Sequence, residues 1–249
     1  MSCCLEKASC IPPLPATAHA TISSTITQSL AATAAGLPRT TFGRFYLPLI
    51  AVCFLGFISP RLGATPQTIV FFGDSLTAGY GLDDPFTDAF PAVIQKKIEE
   101  AKLPYRVVNA GLSGETSAGG LRRVDWVLRQ PIDIFVLALG ANDGLRGIEP
   151  AVTRENLQGI IDRVRAKNPG VKIVLAGMNM PPSMGADYVR DFAAIFPKLA
   201  KENQTAFVPF LLEGVGGRRA LNQPDQIHPN AAGHVILAEN VWKVLRPLL

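Results

Sequence analysis

Residues 65–249 predict an α/β fold with one parallel sheet and helices on both of its faces. Three observations carry this. Strand-like and helix-like runs alternate along the segment, the pattern that right-handed crossovers turn into a parallel sheet. The strand-like runs are short and nearly continuous in Val, Ile, Leu and Phe, as strands buried on both faces are. Their ends run into turns of Gly, Asn, Asp and Ser, which gathers the polar residues at one edge of the sheet. The 185 residues show no internal repeat and no linker, and suffice for one three-layer domain with its own core.

The elements follow in order. Residues 69–72 are the first strand, which runs straight into Gly73-Asp74-Ser75-Leu76-Thr77-Ala78-Gly79, a turn bracketed by glycines. Residues 88–101 are an amphipathic helix. Phe90, Val93, Ile94 and Ile98 recur at helical spacing, Lys96, Lys97, Glu99 and Glu100 face out, and Pro91 falls in the first turn, where its missing N–H costs little. Residues 105–108 are the second strand, ending at Asn109-Ala110-Gly111. Thr116 caps a helix reaching to about residue 129, on which Arg122, Arg123 and Arg129 read as a solvated face.

Residues 132–139, the most apolar run, suit the centre of the sheet. A helix over 154–167 stops at Asn168-Pro169-Gly170. Residues 171–176 are the fourth strand, followed by a loop with Pro181, Pro182 and Gly185. A helix over 187–202 is expected to break or bend at Pro197. Residues 206–210 are a short fifth strand weakened by Pro209. Residues 231–245 form the closing helix, with Val235, Ala238, Trp242 and Leu245 along one stripe.

The first 64 residues differ in kind. They hold one acidic residue, Glu6, against Lys7, Arg39, Arg44 and Arg61. Of the 24 basic and 20 acidic residues in the chain, 20 and 19 therefore remain in 65–249, so most of the net charge of +4 belongs to the leader. The folded part lacks the basic surplus of a nucleic-acid binder. All four cysteines (Cys3, Cys4, Cys10 and Cys53) also lie in the leader, so 65–249 holds no disulfide, no zinc–thiolate site and no thiol nucleophile.

Residues 45–58 are a 14-residue apolar run, with Arg39 and Arg44 before it and small residues ending at Ala64 after it. The run is shorter than the ~20 residues of a membrane span. It fits the apolar region of a signal peptide cleaved after Ala64, which implies a secreted or periplasmic domain without a stable membrane span. The alternative is an uncleaved signal anchor that tethers the domain. Residues 1–36 are too long for the basic start of a signal peptide. Either translation begins downstream, near Leu37, or the stretch is a transit-type or disordered extension.

The chemistry rests on few residues. Outside the leader only His228 and His234 can serve as an imidazole base. His228 lies in Asp225-Gln226-Ile227-His228-Pro229, where a carboxylate three residues upstream can hold Nδ1–H and leave Nε2 free. An Asx-turn with an incidental histidine is an equal reading of the pentapeptide alone. His234, inside the closing helix, reads as packing or surface. Ser75 needs such a base to act as a nucleophile. Gly111-Leu112-Ser113-Gly114 and Gly140-Ala141-Asn142-Asp143-Gly144 offer a backbone N–H and a side-chain amide for a developing oxyanion, though each taken singly reads as a plain turn. The first turn is neither G-x-G-x-x-G nor a P-loop, and no H-E-x-x-H or Cys/His cluster is present. A carboxylate pair of Asp74 and Asp143 for glycoside hydrolysis would leave Ser75 and His228 without roles.

Four blocks in order, Gly73-Asp74-Ser75-Leu76-Thr77, Gly111, Gly140-Ala141-Asn142-Asp143 and Asp225-Gln226-Ile227-His228-Pro229, resemble the SGNH (GDSL) hydrolases across 68–249. Asn142-Asp143-Gly144-Leu145-Arg146-Gly147 and Phe196-Pro197-Lys198-Leu199-Ala200 look like the small secreted branch of thioesterases, lysophospholipases and arylesterases. The resemblance implies a flavodoxin-like, five-stranded parallel sheet. It implies Ser75 as nucleophile, His228 as base and Asp225 as its orienter. The oxyanion hole it implies is made by the N–H groups of Ser75 and Gly111 and the Asn142 side chain. Gln226 and Ala141 stand where similar sequences often carry Gly, which points to locally different turns.

The expected activity is hydrolysis of acyl esters or thioesters through an acyl-enzyme on Ser75, with no metal or cofactor, a small-molecule substrate and no nucleic-acid partner. The loop over 178–188 is expected to border the acyl chain through Met178, Met180, Pro181 and Tyr188; two core methionines under a surface connection is the competing reading. A carbohydrate O-deacetylase on the same fold and a non-catalytic binding protein are the alternative functions.

Overall fold

The computed structural model describes residues 65–249, so the expectations for the leader, its apolar run and its cleavage after Ala64, lie outside the described residues. Five parallel strands form one sheet: β1 (Gln67–Gly73), β2 (Tyr105–Gly111), β3 (Ile134–Ala138), β4 (Lys172–Ala176) and β5 (Ala206–Val208), in the order β2-β1-β3-β4-β5. This is the flavodoxin-like order, in which the chain moves outward from β1 to β2 and then back across to β3. With right-handed crossovers, that reversal puts helices on both faces. The helices are α1 (Ser75–Ala78), α2 (Pro85–Asp88), α3 (Phe90–Glu100), α4 (Ser117–Val127), α5 (Ala141–Leu145), α6 (Pro150–Lys167), α7 (Ala186–Glu202) and α8 (Ala231–Leu245). α3 packs with α8, while α6 packs with α4 and α7.

The burial follows the residue types. β3 is buried at every position, as its uninterrupted apolar run requires. The edge strand β2 is only partly buried, and N–H groups outside its ladder have other partners. Val107 N–H donates to Gln95 Oε1 at 2.7 Å and Tyr105 N–H to Leu103 O at 2.9 Å. The other edge, β5, is three residues long and ends before Pro209, which cannot donate to a ladder.

Four expectations shift. The helix expected from residue 88 begins at Phe90, because Ala89 is extended (φ −62°, ψ 144°) and separates it from the short α2, which ends at Asp88. α6 begins four residues earlier than the periodicity indicated, at Pro150, where a proline suits a first helical position. α7 passes through Pro197 as one helix, with Phe196, Leu199 and Ala200 buried beside it. In α8 the buried face is His234, Leu237, Ala238, Val241 and Leu245, whereas Val235 is half exposed. The stripe is rotated because one of its inward positions is a histidine. His234 Nδ1 accepts the Phe90 N–H at 3.2 Å, a donor at the start of α3 that no intrahelical carbonyl reaches. Burial pushes this imidazole down to about 4.

Candidate active site

The switch between β2 and β3 on either side of β1 leaves a crevice at the carboxyl ends of the strands, where such sheets bind ligands. Ser75 enters it directly from β1. Asp74 caps α1, its Oδ1 accepting the Leu76 N–H at 3.0 Å, so that Ser75 is the first residue of the helix. The Ser75 N–H donates to no acceptor among the described residues.

His228 faces Ser75 from the loop before α8. Its Nε2 lies 3.0 Å from Ser75 Oγ and its Nδ1 2.6 Å from Asp225 Oδ2. The other oxygen of Asp225 accepts the N–H groups of Ile227 (2.9 Å) and His228 (3.0 Å). The two readings of the pentapeptide therefore coexist: one carboxylate oxygen closes an Asx-turn and the other holds the imidazole. The His228 side chain, followed by the backbone donors, draws the Asp225 carboxyl down to about 2 and keeps it ionised. Gln226, two residues on in the turn from Pro224, takes φ 60°, a left-handed conformation in which a glycine is at home. Ala141, by contrast, is an ordinary first residue of α5.

Asn142 projects from α5, after β3. Its Nδ2 donates to Glu115 O at 3.1 Å, which sets the amide beside the turn that follows β2. Gly111 does not stand as expected. Its N–H is given to Asn109 Oδ1 at 2.9 Å, and a Cβ there would overlap the backbone of Ala78 in α1. This glycine serves close strand–helix packing. Three residues on, Gly114 lies in the left-handed region (φ 79°), with open space around its Cα and an N–H that donates to no acceptor among the described residues. It directly precedes Glu115, the residue that Asn142 touches. The second glycine of the same turn was the signal for it.

The turn has an ionic support. Glu115, its side chain 3% exposed, is paired with Arg123 from α4, with Arg123 Nε 2.7 Å from Glu115 Oε1. Arg123 Nη2 also donates to Ala110 O at 2.8 Å, and the guanidinium lies 4.2 Å from the centre of the Phe72 ring. Arg123 is therefore not part of a solvated face. Asp143, fully buried, accepts from Ser117 N–H (2.8 Å) and Ser117 Oγ (2.5 Å), tying α5 to the start of α4. These bonds leave it no free role in a carboxylate pair.

The expected acyl-side loop is corrected in part. Met178 and Met180 are each 6% exposed and belong to the core, Met180 packing where Gly144 of α5 has no side chain. Tyr188 is half buried and donates its hydroxyl to Ile148 O at 2.8 Å, while Pro181 is exposed. The apolar side chains that face solvent beside the polar turns are Tyr80, Leu112, Leu145 and Ile227. A groove of about 630 Å³ lies elsewhere, between α2, α3 and β2, lined by Phe86, Gln95 and Val107 among others and by none of Ser75, Asn142 or His228. Among the described residues no three His, Cys, Asp or Glu side chains are grouped to hold a metal ion.

Residues 71–236 match the GDSL-like lipase/acylhydrolase family. The chain belongs to this family. Within it, the chain is 43% identical over 187 residues to the esterase TesA of Pseudomonas aeruginosa, covering 75% of this chain and 91% of that one. It is 37% identical over 207 residues to the thioesterase 1/protease 1/lysophospholipase L1 of Escherichia coli K12, covering 83% and 94%. The crystal structure of TesA superposes with a TM-score of 0.70 at 43% identity, covering 74% of this chain and all of that one. The matched span includes Ser75, Asn142, Asp225 and His228.

Proposed function

We propose that this GDSL-family protein is a serine hydrolase of acyl esters, extending to aryl esters, acyl thioesters and lysophospholipids, with Ser75 as nucleophile. The observation that carries the reading is the line Asp225 Oδ2–His228 Nδ1 (2.6 Å) and His228 Nε2–Ser75 Oγ (3.0 Å). Its relatives are named esterase and thioesterase/lysophospholipase, which supports the same reaction class.

In this reading Ser75 Oγ attacks the acyl carbonyl while His228 Nε2 takes the hydroxyl proton, and Asp225 holds the resulting imidazolium. The tetrahedral oxyanion is met by the Ser75 N–H, the free N–H of the Asn142 amide and the Gly114 N–H in place of Gly111. The alcohol or thiol leaves with the proton from His228. Water then attacks the acyl-enzyme, with His228 again the base. The exposed apolar side chains of Leu112, Leu145 and Ile227 beside these turns favour an acyl chain longer than the acetyl of a sugar O-acetyl group. No helix of the described residues is long and apolar enough to cross a membrane.

Ser75→Ala abolishes turnover of para-nitrophenyl esters with the fold intact; near-wild-type activity would overturn the reading. A panel from acetyl to palmitoyl esters, with acyl-CoA, a lysophospholipid and acetylated sugars, gives the substrate class, and turnover confined to acetylated sugars would favour a deacetylase. We also read the enzyme as secreted or periplasmic, from the apolar run over 45–58 and the small residues before Thr65. N-terminal sequencing of the mature protein that begins near Thr65 supports this, and retention of 45–58 argues for the tethered form.

A further inference from the structure

Ser75 and His228 sit on segments 153 residues apart, and His228 lies in a loop outside the sheet. The distance between Oγ and Nε2 therefore depends on something other than strand pairing. The structure contains a closed circuit of bonds around it. Tyr80 N–H donates to Ser75 O at 3.0 Å. Gln223 Nε2 donates to Tyr80 O at 2.7 Å and to Pro229 O at 3.0 Å. Gln223 N–H donates to His228 O at 2.7 Å. His228 Nε2 then returns to Ser75 Oγ.

Two more observations converge on the same two residues. The Tyr80 ring packs on the His228 imidazole, with centroids 4.7 Å apart and planes tilted by 49°. Gly81 lies in the left-handed region (φ 74°) directly under Gln223, where a Cβ would overlap Gln223 Oε1. The chain thus gives up a side chain after Tyr80 to let this amide come close.

We propose that Gln223 and Tyr80 are positioning residues that together set the His228–Ser75 distance, Gln223 by bonding both loops and Tyr80 by backing the imidazole. This rests on Ser75 and His228 acting as nucleophile and base. A displacement of the base by about 1 Å is costly in kcat, because proton transfer from Oγ requires hydrogen-bond reach. The tilted aromatic face also favours the imidazolium formed during acylation.

The test uses Gln223→Met, which keeps length and removes both side-chain bonds, with Tyr80→Phe, Tyr80→Leu and Ser75→Ala. Each is measured for kcat and KM on para-nitrophenyl butyrate, for the rate and stoichiometry of reaction with a para-nitrophenyl alkylphosphonate, and for Tm. Gln223→Met should lower kcat by up to about 10²-fold with KM within about twofold. Phosphonylation should slow in parallel yet still reach one equivalent per chain. Tyr80→Leu should lower kcat roughly 2- to 5-fold, the range of an exposed ring–cation contact, and Tyr80→Phe should restore it. Unchanged kcat in Gln223→Met, a loss in KM alone, or a loss matched by incomplete phosphonylation would overturn the proposal. So would a Tyr80→Phe variant as slow as Tyr80→Leu. The Tyr80 pair, on an exposed ring, decides the matter if Gln223→Met does not fold. Turnover retained in Ser75→Ala would instead overturn the catalytic reading beneath it.

Discussion

Asn142 and His234 show how differently two polar side chains near one sheet are used. Asn142 donates from its amide nitrogen to Glu115 O, and that NH₂ group carries a second N–H. In the proposed role of oxyanion donor it acts only in the transition state, so Asn142→Ala should lower kcat by on the order of 10²–10³. A change confined to KM in steady-state kinetics would assign it to substrate positioning. His234 is spent wholly on structure, as the acceptor for Phe90 N–H. His234→Ala leaves that buried donor without a partner, and urea unfolding should show a loss of about 1–3 kcal/mol beyond the loss of packing. Its imidazole is depressed to about 4 by burial, with Asp88 opposing the shift. The neutral form therefore stabilises the fold fully above about 6.5, and the contribution falls as pH drops toward 4, because the unfolded chain takes the proton first.

At the scale of elements, the turn between β2 and α4 is the piece whose support is least visible in isolation. It presents Gly114 and the Glu115 carbonyl to the crevice, yet it is held by a carboxylate–guanidinium pair beneath it. Arg123→Ala leaves the Glu115 carboxylate buried without its cation and should cost about 3–5 kcal/mol in chemical denaturation. Arg123→Lys should restore only part of this. A single ammonium cannot reproduce the two-pronged contact with Glu115, the bond to Ala110 O and the stacking on Phe72. Wild-type stability in Arg123→Ala would show that the pair contributes nothing beyond solvation. The same element explains why the solvated-face reading of Arg123 failed: helical periodicity ranks residues by polarity, and a paired arginine is inward-facing despite being charged.

Across the whole molecule, the crevice sits above a group of buried carboxyls. Asp74 is pushed up to about 7, chiefly by burial and then by the charges of Asp143 and Glu115, against the pull of the Leu76 N–H. Its Oδ2 is buried and has no partner among the described residues. A carboxyl raised in the fold stabilises fully below its unfolded value of about 3.9, and that contribution is lost as pH rises toward 7. Asp74→Asn keeps the oxygen that caps α1 and cannot ionise. The variant should therefore gain on the wild type between pH 4 and pH 7, by up to roughly 4 kcal/mol, and level off above. Thermal unfolding of both proteins at pH 4.5 and pH 8 measures this, and a difference independent of pH would refute it. Asp74 and His234 work in opposite senses between pH 4 and 6.5, so the wild-type profile in that range is flatter than either group alone would make it.

The sheet, the succession of its elements and the residues able to do chemistry are legible in the amino-acid sequence. Those follow from local properties: continuous apolar runs, helical spacing, Gly and Asn at strand ends, and a carboxylate three residues from an imidazole. The Ser75, Asn142, Asp225 and His228 positions are legible because their turns occur together and in the order of the SGNH blocks, although each turn alone reads as a plain connection. Which groups remain free once the chain has packed is set by contacts in the folded molecule. Gly111 and Gly114 share one turn, but the Asn109 side chain takes the first N–H and leaves the second. Met178 and Met180 sit in a Pro-rich connection yet fill the core. Tyr80 and Gln223, 143 residues apart, meet across the crevice. Each outcome depends on a contact between distant segments, and periodicity and composition carry no information about hydrogen bonds made at that range.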